Sequence, residues 1–196
     1  MQNTPKKIIE DYQKRLLPHI AKYIANKNLL DVGCGNGFNS YFFSKHFATE
    51  ITLVDVEDIR DEEVSPFPFF QSSLEKLPFK SSTFDIVFLQ YVLHHLPPEI
   101  HIEAVFWELK RVGKMVIIVE EVCTENTHIH KAIEYDSKMN AILHPNSGNI
   151  LVHKYYSDAE LKEVFSKVSL DIIEEKTIFH GSEENGYLIQ RMYVLK

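Results

Sequence analysis

Cysteine is scarce. The 196-residue chain carries two, Cys34 and Cys123, too few and too irregularly spaced for a disulfide framework or a cysteine-built zinc site. A reducing, cytoplasmic setting is the expectation that follows. No uninterrupted apolar run is long enough to span a bilayer. The opening Met1-Gln2-Asn3-Thr4-Pro5-Lys6-Lys7 has no basic stretch followed by an apolar core, so it does not resemble a signal peptide. Positive charge is also in deficit: 21 Lys and Arg against 28 Asp and Glu leave a formal net charge of -7. That balance disfavours a nucleic acid as partner, because neutralising phosphates needs clustered cations. Internal repeats and low-complexity tracts are absent as well. With 44% hydrophobic and 25% charged residues, the composition is that of an ordinary globular chain, and the length suits one domain with a modest lid or insertion.

What is present is an alternation. Thr4-Pro5 reads as an N-cap followed by the residue best tolerated at the first helical position. Ile8, Ile9, Tyr12, Leu16 and Ile20 then share one helical face, with Pro18 expected to kink or divide the helix. Residues 1–27 therefore form a helical preface. From Leu29 onward short apolar runs alternate with amphipathic stretches, the pattern of a parallel sheet covered by helices. Strands are predicted at 28–32, 51–54, 67–70, 84–89 and 115–119, the last two apolar nearly throughout, as central strands buried on both faces are. Pro97-Pro98 marks a helix start ahead of Ile102, Val105, Phe106 and Leu109, with the lone Trp107 read as packing. Ser157 and Glu160 form a capping-box pattern, and residues 170–177 and 186–195 read as an antiparallel hairpin. Ahead of the capping box, residues 121–156 read as an insertion over the carboxyl edge of the sheet, with a helix through Met139 and Leu143 and turn formers from His144 to Asn149.

The chemistry concentrates after the first strand, in Leu29-Leu30-Asp31-Val32-Gly33-Cys34-Gly35-Asn36-Gly37. Glycines belong where a backbone turns sharply and approaches a ligand closely. The third glycine arrives one position earlier than in a dinucleotide loop, and Asp31 would repel a pyrophosphate. A donor carrying a sulfonium and an ammonium would be attracted instead. Asp55 ends the second apolar run about 20 residues further on, where an acid accepts hydrogen bonds from ribose hydroxyls.

These residues resemble the class I S-adenosylmethionine-dependent methyltransferases, in particular the group known as methyltransferase type 11. The resemblance runs through the glycine loop, Asp55, Ser73-Leu74-Glu75-Lys76-Leu77-Pro78-Phe79, Phe84-Asp85-Ile86-Val87 and Val92-Leu93-His94-His95-Leu96, in that order. It implies a Rossmann-like, doubly wound α/β sheet of seven strands in the order 3-2-1-4-5-7-6, mostly parallel with an antiparallel last strand, over residues 28–196. It also implies S-adenosylmethionine as cofactor and S-adenosylhomocysteine as product. Asp31, Gly33, Cys34, Gly35, Asn36 and Gly37 would then surround the methionine portion and Asp55 the ribose. Val56 would line the adenine and Leu74 would offer it a backbone amide. Ser73 stands where such enzymes commonly carry an acid toward the adenine amino group, and it accepts a hydrogen bond more weakly.

Gln90 and Tyr91 lie at the carboxyl end of the fourth strand and His94 follows, so all three are placed to line the donor or acceptor side. Methyl transfer from a sulfonium needs chiefly in-line positioning. Where the acceptor loses a proton, His94 is the base candidate with Tyr91 beside it, against a competing role for His94 in bonding a loop backbone. Glu120 and Glu121 follow the fifth strand and are placed to meet an acceptor, with the reading as solvated loop acids favoured over that role. His128 and His130 lack matched ligand partners, and no metal is expected. The acceptor is expected to be a small molecule. Two other readings stay open: a non-catalytic partner subunit that keeps the donor site, and a nicotinamide-dependent oxidoreductase.

Overall fold

The computed structural model describes residues 5–144 and 151–196. The N-cap assigned to Thr4 and the turn residues Pro145 to Asn149 lie outside them. In chain order the elements are α1 (Pro5–Ile24), β1 (Asn28–Val32), α2 (Phe38–His46), β2 (Glu50–Asp55), β3 (Phe69–Gln71), β4 (Ile86–Gln90), α3 (Ile102–Val112), β5 (Val116–Cys123), α4 (Ile129–Leu143), β6 (Tyr156–Ser157), α5 (Asp158–Lys167), β7 (Ile172–His180) and β8 (Ile189–Leu195). Single 3-10 turns occupy Glu62–Val64 and Leu93–His95.

The sheet runs β3-β2-β1-β4-β5-β8-β7. β8 is antiparallel to both neighbours, and the others are parallel. The path is the expected seven-strand order. The two-residue β6 is an addition, pairing in parallel with the far end of β5.

Side-chain alternation explains why β4 reads as continuously apolar. Ile86 and Phe88 point into a core shared with α1 and α2, whereas Val87 and Leu89 point into a second core beneath α3 and α5. β5 repeats the arrangement, with Ile117 and Val119 on the first face and Val116 and Ile118 on the second. Burying each such side chain contributes roughly 1.5–3 kcal/mol. The outermost strand, β7, is largely exposed and carries Glu174, Glu175 and Lys176, charges that discourage edge-to-edge pairing.

Several expectations are corrected. Pro18 does not divide α1, which is one helix of 20 residues. Pro18 sits on the exposed face, where the hydrogen bond it cannot donate leaves a solvated carbonyl. α3 starts at Ile102 rather than at Pro97-Pro98, because those prolines first form a turn closed by Ile100 N–H on the Pro97 carbonyl. Trp107 is not packed: it is 50% exposed on α3, with the Lys110 ammonium 5.4 Å above its ring. β5 extends four residues past the predicted end, so Glu120 and Glu121 are strand residues and are buried. The hairpin of β7 and β8 and the capping box at Ser157 form as expected.

Candidate active site

The carboxyl ends of β1, β2, β4 and β5 open into a cleft of about 600 Å³, within the range of small-molecule sites. Its floor at one end is the loop after β1. Gly33, Gly35 and Gly37 all take left-handed backbone, with φ of 69°, 53° and 76°. This lets the N–H groups of Gly33 and Cys34 both bond the Val54 carbonyl of β2, at 2.9 and 3.2 Å. Side chains are excluded twice over, since a Cβ at Gly33 would stand 2.5 Å from Val92 and one at Gly37 would stand 2.3 Å from Val64.

The Asp55 carboxylate accepts from Gly35 N–H and from Val56 N–H, both at 2.7 Å. Burial pushes its pKa up, and those amides offset part of the rise. Val56 is 58% exposed and lines the cleft with Ile59 and Leu74. Ser73 lines the same wall, its hydroxyl accepting from Glu75 N–H at 3.3 Å. Asn36 ties the loop to the end of α4 through Nδ2–H on the Leu143 carbonyl at 2.9 Å. Cys34 faces the cleft edge, but burial pushes its thiol far up, which removes it as a nucleophile.

Asp31 and Gly37 stand apart from the other loop residues, because neither lines the cleft. Asp31 is 2% exposed and accepts a 2.6 Å hydrogen bond from Ser40 Oγ on α2. Burial pushes its carboxyl up to about 7, with the Ser40 bond opposing and Asp55 adding to the rise. Gly37 is the N-cap of α2.

The opposite end is built from ionisable side chains. Glu120 is 1% exposed. Its Oε1 accepts from His94 Nδ1–H at 2.6 Å and from Glu121 N–H at 2.9 Å, while Oε2 accepts from Leu93 N–H at 2.8 Å. The His94 carbonyl accepts from His153 N–H at 2.8 Å, and the Tyr155 ring stacks on the imidazole with centroids 5.2 Å apart. His94 Nε2 faces Asp136 Oδ1 of α4 at 3.5 Å. Burial draws the His94 pKa down, but Glu120 and Asp136 outweigh it and hold it up at about 10. Glu121 is pushed up to about 7 by burial, with His94 opposing and Glu120 adding. Tyr91 has left-handed backbone, φ 56°, costly for a bulky side chain. Its ring meets Tyr12 of α1 edge-on at 6.3 Å, and burial and Glu121 drive its phenol well up.

Two elements cover the cleft. From α1, Gln13 Nε2 reaches Gln90 Oε1 at 2.8 Å and Asn39 Oδ1 at 2.7 Å. Tyr12 and the Tyr135 hydroxyl of α4 meet at 3.1 Å, joining the two elements.

A family model described as a methyltransferase domain matches residues 30–117, from the middle of β1 into β5. Residues 30–117 are thus similar to a methyltransferase domain. An uncharacterised methyltransferase of Schizosaccharomyces pombe is 33% identical over 113 residues, covering 49% of this chain and 40% of that protein. A tRNA U34 carboxymethyltransferase of Vibrio parahaemolyticus is 27% identical over 185 residues, covering 87% of this chain and 51% of that protein. The chain thus spans about half the length, or less, of these curated relatives. Among solved structures, the 1,6-didemethyltoxoflavin N1-methyltransferase of Burkholderia thailandensis, bound to its substrate and S-adenosylhomocysteine, superposes with a TM-score of 0.66 at 13% identity over 95% of this chain and 76% of that one. That likeness establishes the fold, the Rossmann-like sheet of class I S-adenosylmethionine-dependent methyltransferases.

Within the matched residues, Gly33, Cys34, Gly35, Asn36, Asp55, Val56, Ser73, Leu74 and Gln90 all line the cleft, as do Tyr91 and His94. His128 and His130 do not; His128 packs edge-on against Tyr187 at 5.3 Å. Sequence reading missed Glu120 as the partner of His94. The signal was available, since Val122 continues the apolar run of β5 beyond the two glutamates. It also missed Gln13 and Asp136. Asp136 lies on the stripe Ala132, Met139 and Leu143, whose spacing marks the inward face of α4.

Proposed function

We propose that this chain transfers a methyl group from S-adenosylmethionine to a small acceptor that is neutral or cationic. The observation that carries the reading is the charge of the cleft. Asp55, Glu57, Glu121 and Asp136 line it, and among the described lining residues there is no Lys and no Arg. Such a wall repels a pyrophosphate or a nucleic acid and favours a cationic donor. The residues fit that donor: a glycine loop with no room for side chains, an acid at the end of β2, and an apolar wall of Val56, Ile59 and Leu74 for a flat ring. When bound, S-adenosylmethionine supplies an electrophilic methyl group on a sulfonium.

In this reading Gly33, Cys34, Gly35 and Asn36 hold the amino-acid portion, with Asp31 acting through the loop from beneath. Gly37 keeps the loop in register with α2. Asp55 receives ribose hydroxyls, since the Gly35, Val56 and Glu57 amides do not use up the roughly four acceptor positions of a carboxylate. Val56 and Leu74 flank the adenine, Ser73 accepts from its amino group, and Gln90, steadied by Gln13, faces the middle of the cleft. α1 and the 121–156 segment act as the cover that excludes water. His94 starts protonated between two acids, so it orients an acceptor by donating from Nε2. Tyr91 shapes the wall beside it. Where the acceptor loses a proton, Glu121 takes it, its pKa lying near the operating pH.

Calorimetry with S-adenosylhomocysteine tests the donor half, and saturable binding is expected. No binding at millimolar ligand would end the proposal. A labelled-methyl assay in cell extract, with mass identification of the product, tests the acceptor half. Label recovered in RNA instead of a small molecule would overturn it.

A further inference from the structure

The acceptor end holds an arrangement that methyl transfer alone does not require. The Leu93–His95 turn and α4 bring His94 Nε2, His95 Nε2 and Asp136 Oδ1 within 4.8 Å of one another. His94 Nδ1 is bonded to a Glu120 carboxylate oxygen at 2.6 Å and His95 Nδ1 to the Leu151 carbonyl at 3.0 Å. Neither acceptor has a hydrogen to give, so each ring carries a proton on Nδ1 and, once any proton on Nε2 is displaced, directs the Nε2 lone pair at the same carboxylate oxygen. The separations are 3.5 Å from His94 and 3.9 Å from His95. His94 is 1% exposed, and its Nε2 has no hydrogen-bond partner among the described residues. At 3.5 Å the Asp136 oxygen is beyond a well-formed bond.

We infer that His94, His95 and Asp136 form a binding site for a divalent first-row transition-metal cation at the acceptor end of the cleft. A nitrogen and an oxygen facing each other across 3.5 Å are brought together favourably by a cation between them. The second layer is already in place, because ligating histidines characteristically donate their other ring N–H to a carboxylate or a backbone carbonyl. Here the Glu120 carboxylate and the Leu151 carbonyl accept those bonds.

A tetrahedral ion with ligands at about 2.0–2.1 Å sets edges of about 3.4 Å between them, so the two histidine–Asp136 separations of 3.5 and 3.9 Å need to contract by about half an ångström or less, and the His94–His95 separation, which is within 4.8 Å, closes by a rotation of the partly exposed His95 ring. Two imidazoles and one carboxylate suit Zn²⁺, Fe²⁺ or Co²⁺ and not Mg²⁺ or Ca²⁺, which take oxygen ligands. All three residues line the cleft, so the remaining coordination positions face it and present a Lewis-acidic centre to an oxygen-bearing ligand. Metal binding itself is independent of the donor reading. In the metal-free chain a proton on His94 competes for the same nitrogen.

The test is calorimetric titration of the chelator-stripped full chain with Zn²⁺ and, separately, Mg²⁺. The absorption spectrum with Co²⁺ supplies a second readout. One equivalent of Zn²⁺, no Mg²⁺ response and the visible bands of Co²⁺ on nitrogen ligands are expected. Asp136→Asn and His95→Gln, each checked by circular dichroism, should weaken Zn²⁺ binding at least tenfold, whereas His128→Ala should not change it. Absence of one-equivalent Zn²⁺ binding overturns the inference. So does binding that persists unchanged in both cleft variants, which places the ion on surface histidines. S-adenosylhomocysteine is titrated into the same samples. Failure of that titration alone removes the donor reading and leaves the metal result standing.

Discussion

The two ends of the cleft are made by different means. At the β1–β2 end the surface is largely backbone: the left-handed glycines Gly33 and Gly35, amides bonded to the Val54 carbonyl, and a carboxylate from Asp55 clamped onto the loop. At the β4–β5 end it is buried ionisable side chains, Glu120, His94, Glu121 and Asp136, held against one another and covered by Tyr155. A backbone site keeps its shape whatever the charge states of its parts but is intolerant of added volume. A side-chain site tolerates volume but depends on every charge having its partner. The two ends should therefore fail differently when perturbed.

The largest effect is expected at Glu120→Ala. Removing the carboxylate strands the Leu93 and Glu121 amides and leaves His94 charged without its main partner, which should cost about 3–5 kcal/mol of stability. Chemical denaturation measures it, and a loss under about 1 kcal/mol would erase the distinction between the ends. Gly33→Ala should do the reverse. A Cβ 2.5 Å from Val92 on left-handed backbone distorts the loop, at a cost of about 1–2 kcal/mol, and donor affinity should fall at least tenfold by calorimetry.

Asp31 probes whether charge matters beneath the backbone end. Its neighbours are Ser40 on α2, Asp55 on β2 and Cys34 on the loop. Because its carboxyl sits at about 7, it ionises as pH rises through neutrality, and affinity for a cationic donor should increase severalfold from pH 6 to 8. Asp31→Asn should flatten that profile. Stability moves the opposite way. The folded chain keeps a proton that the unfolded chain has already released, so this contribution is fully present below the ordinary carboxylate pKa and is lost as pH rises through about 7. The smallest effect belongs to neither end. Trp107→Ala, at a half-exposed site on α3, should change stability by less than about 0.5 kcal/mol and leave donor affinity unchanged.

The same contrast governs what could be read from the residues in order. A backbone site advertises itself, because only glycine takes the conformations it needs, so Gly33, Gly35 and Gly37 stand out in one short stretch with Asp55 a fixed distance beyond. The acceptor end is assembled from positions 94, 95, 120, 121 and 136, and no local rule connects them. Glu120 looked like a loop acid because a glutamate after an apolar run ordinarily marks the end of a strand. It is interior because β5 continues between β4 and β8, where His94 and the Leu93 amide supply its hydrogen bonds. Asp31 shows the converse error. Its position at the end of β1 suggested direct contact with a cation, whereas α2 folds over it and gives it Ser40 as partner.

By itself, the sequence determined the parallel sheet, the glycine loop and the acid that follows it, each through local periodicity or a backbone conformation that favours one residue type, and the family resemblance implied the strand order. Only the tertiary structure decided which acids are buried, which histidine they flank, and that α1 and α4 meet over the cleft through Tyr12 and Tyr135. Those outcomes depend on contacts between residues up to 123 positions apart. The burial that gives such contacts their electrostatic strength is a property of the packed chain and of no segment alone.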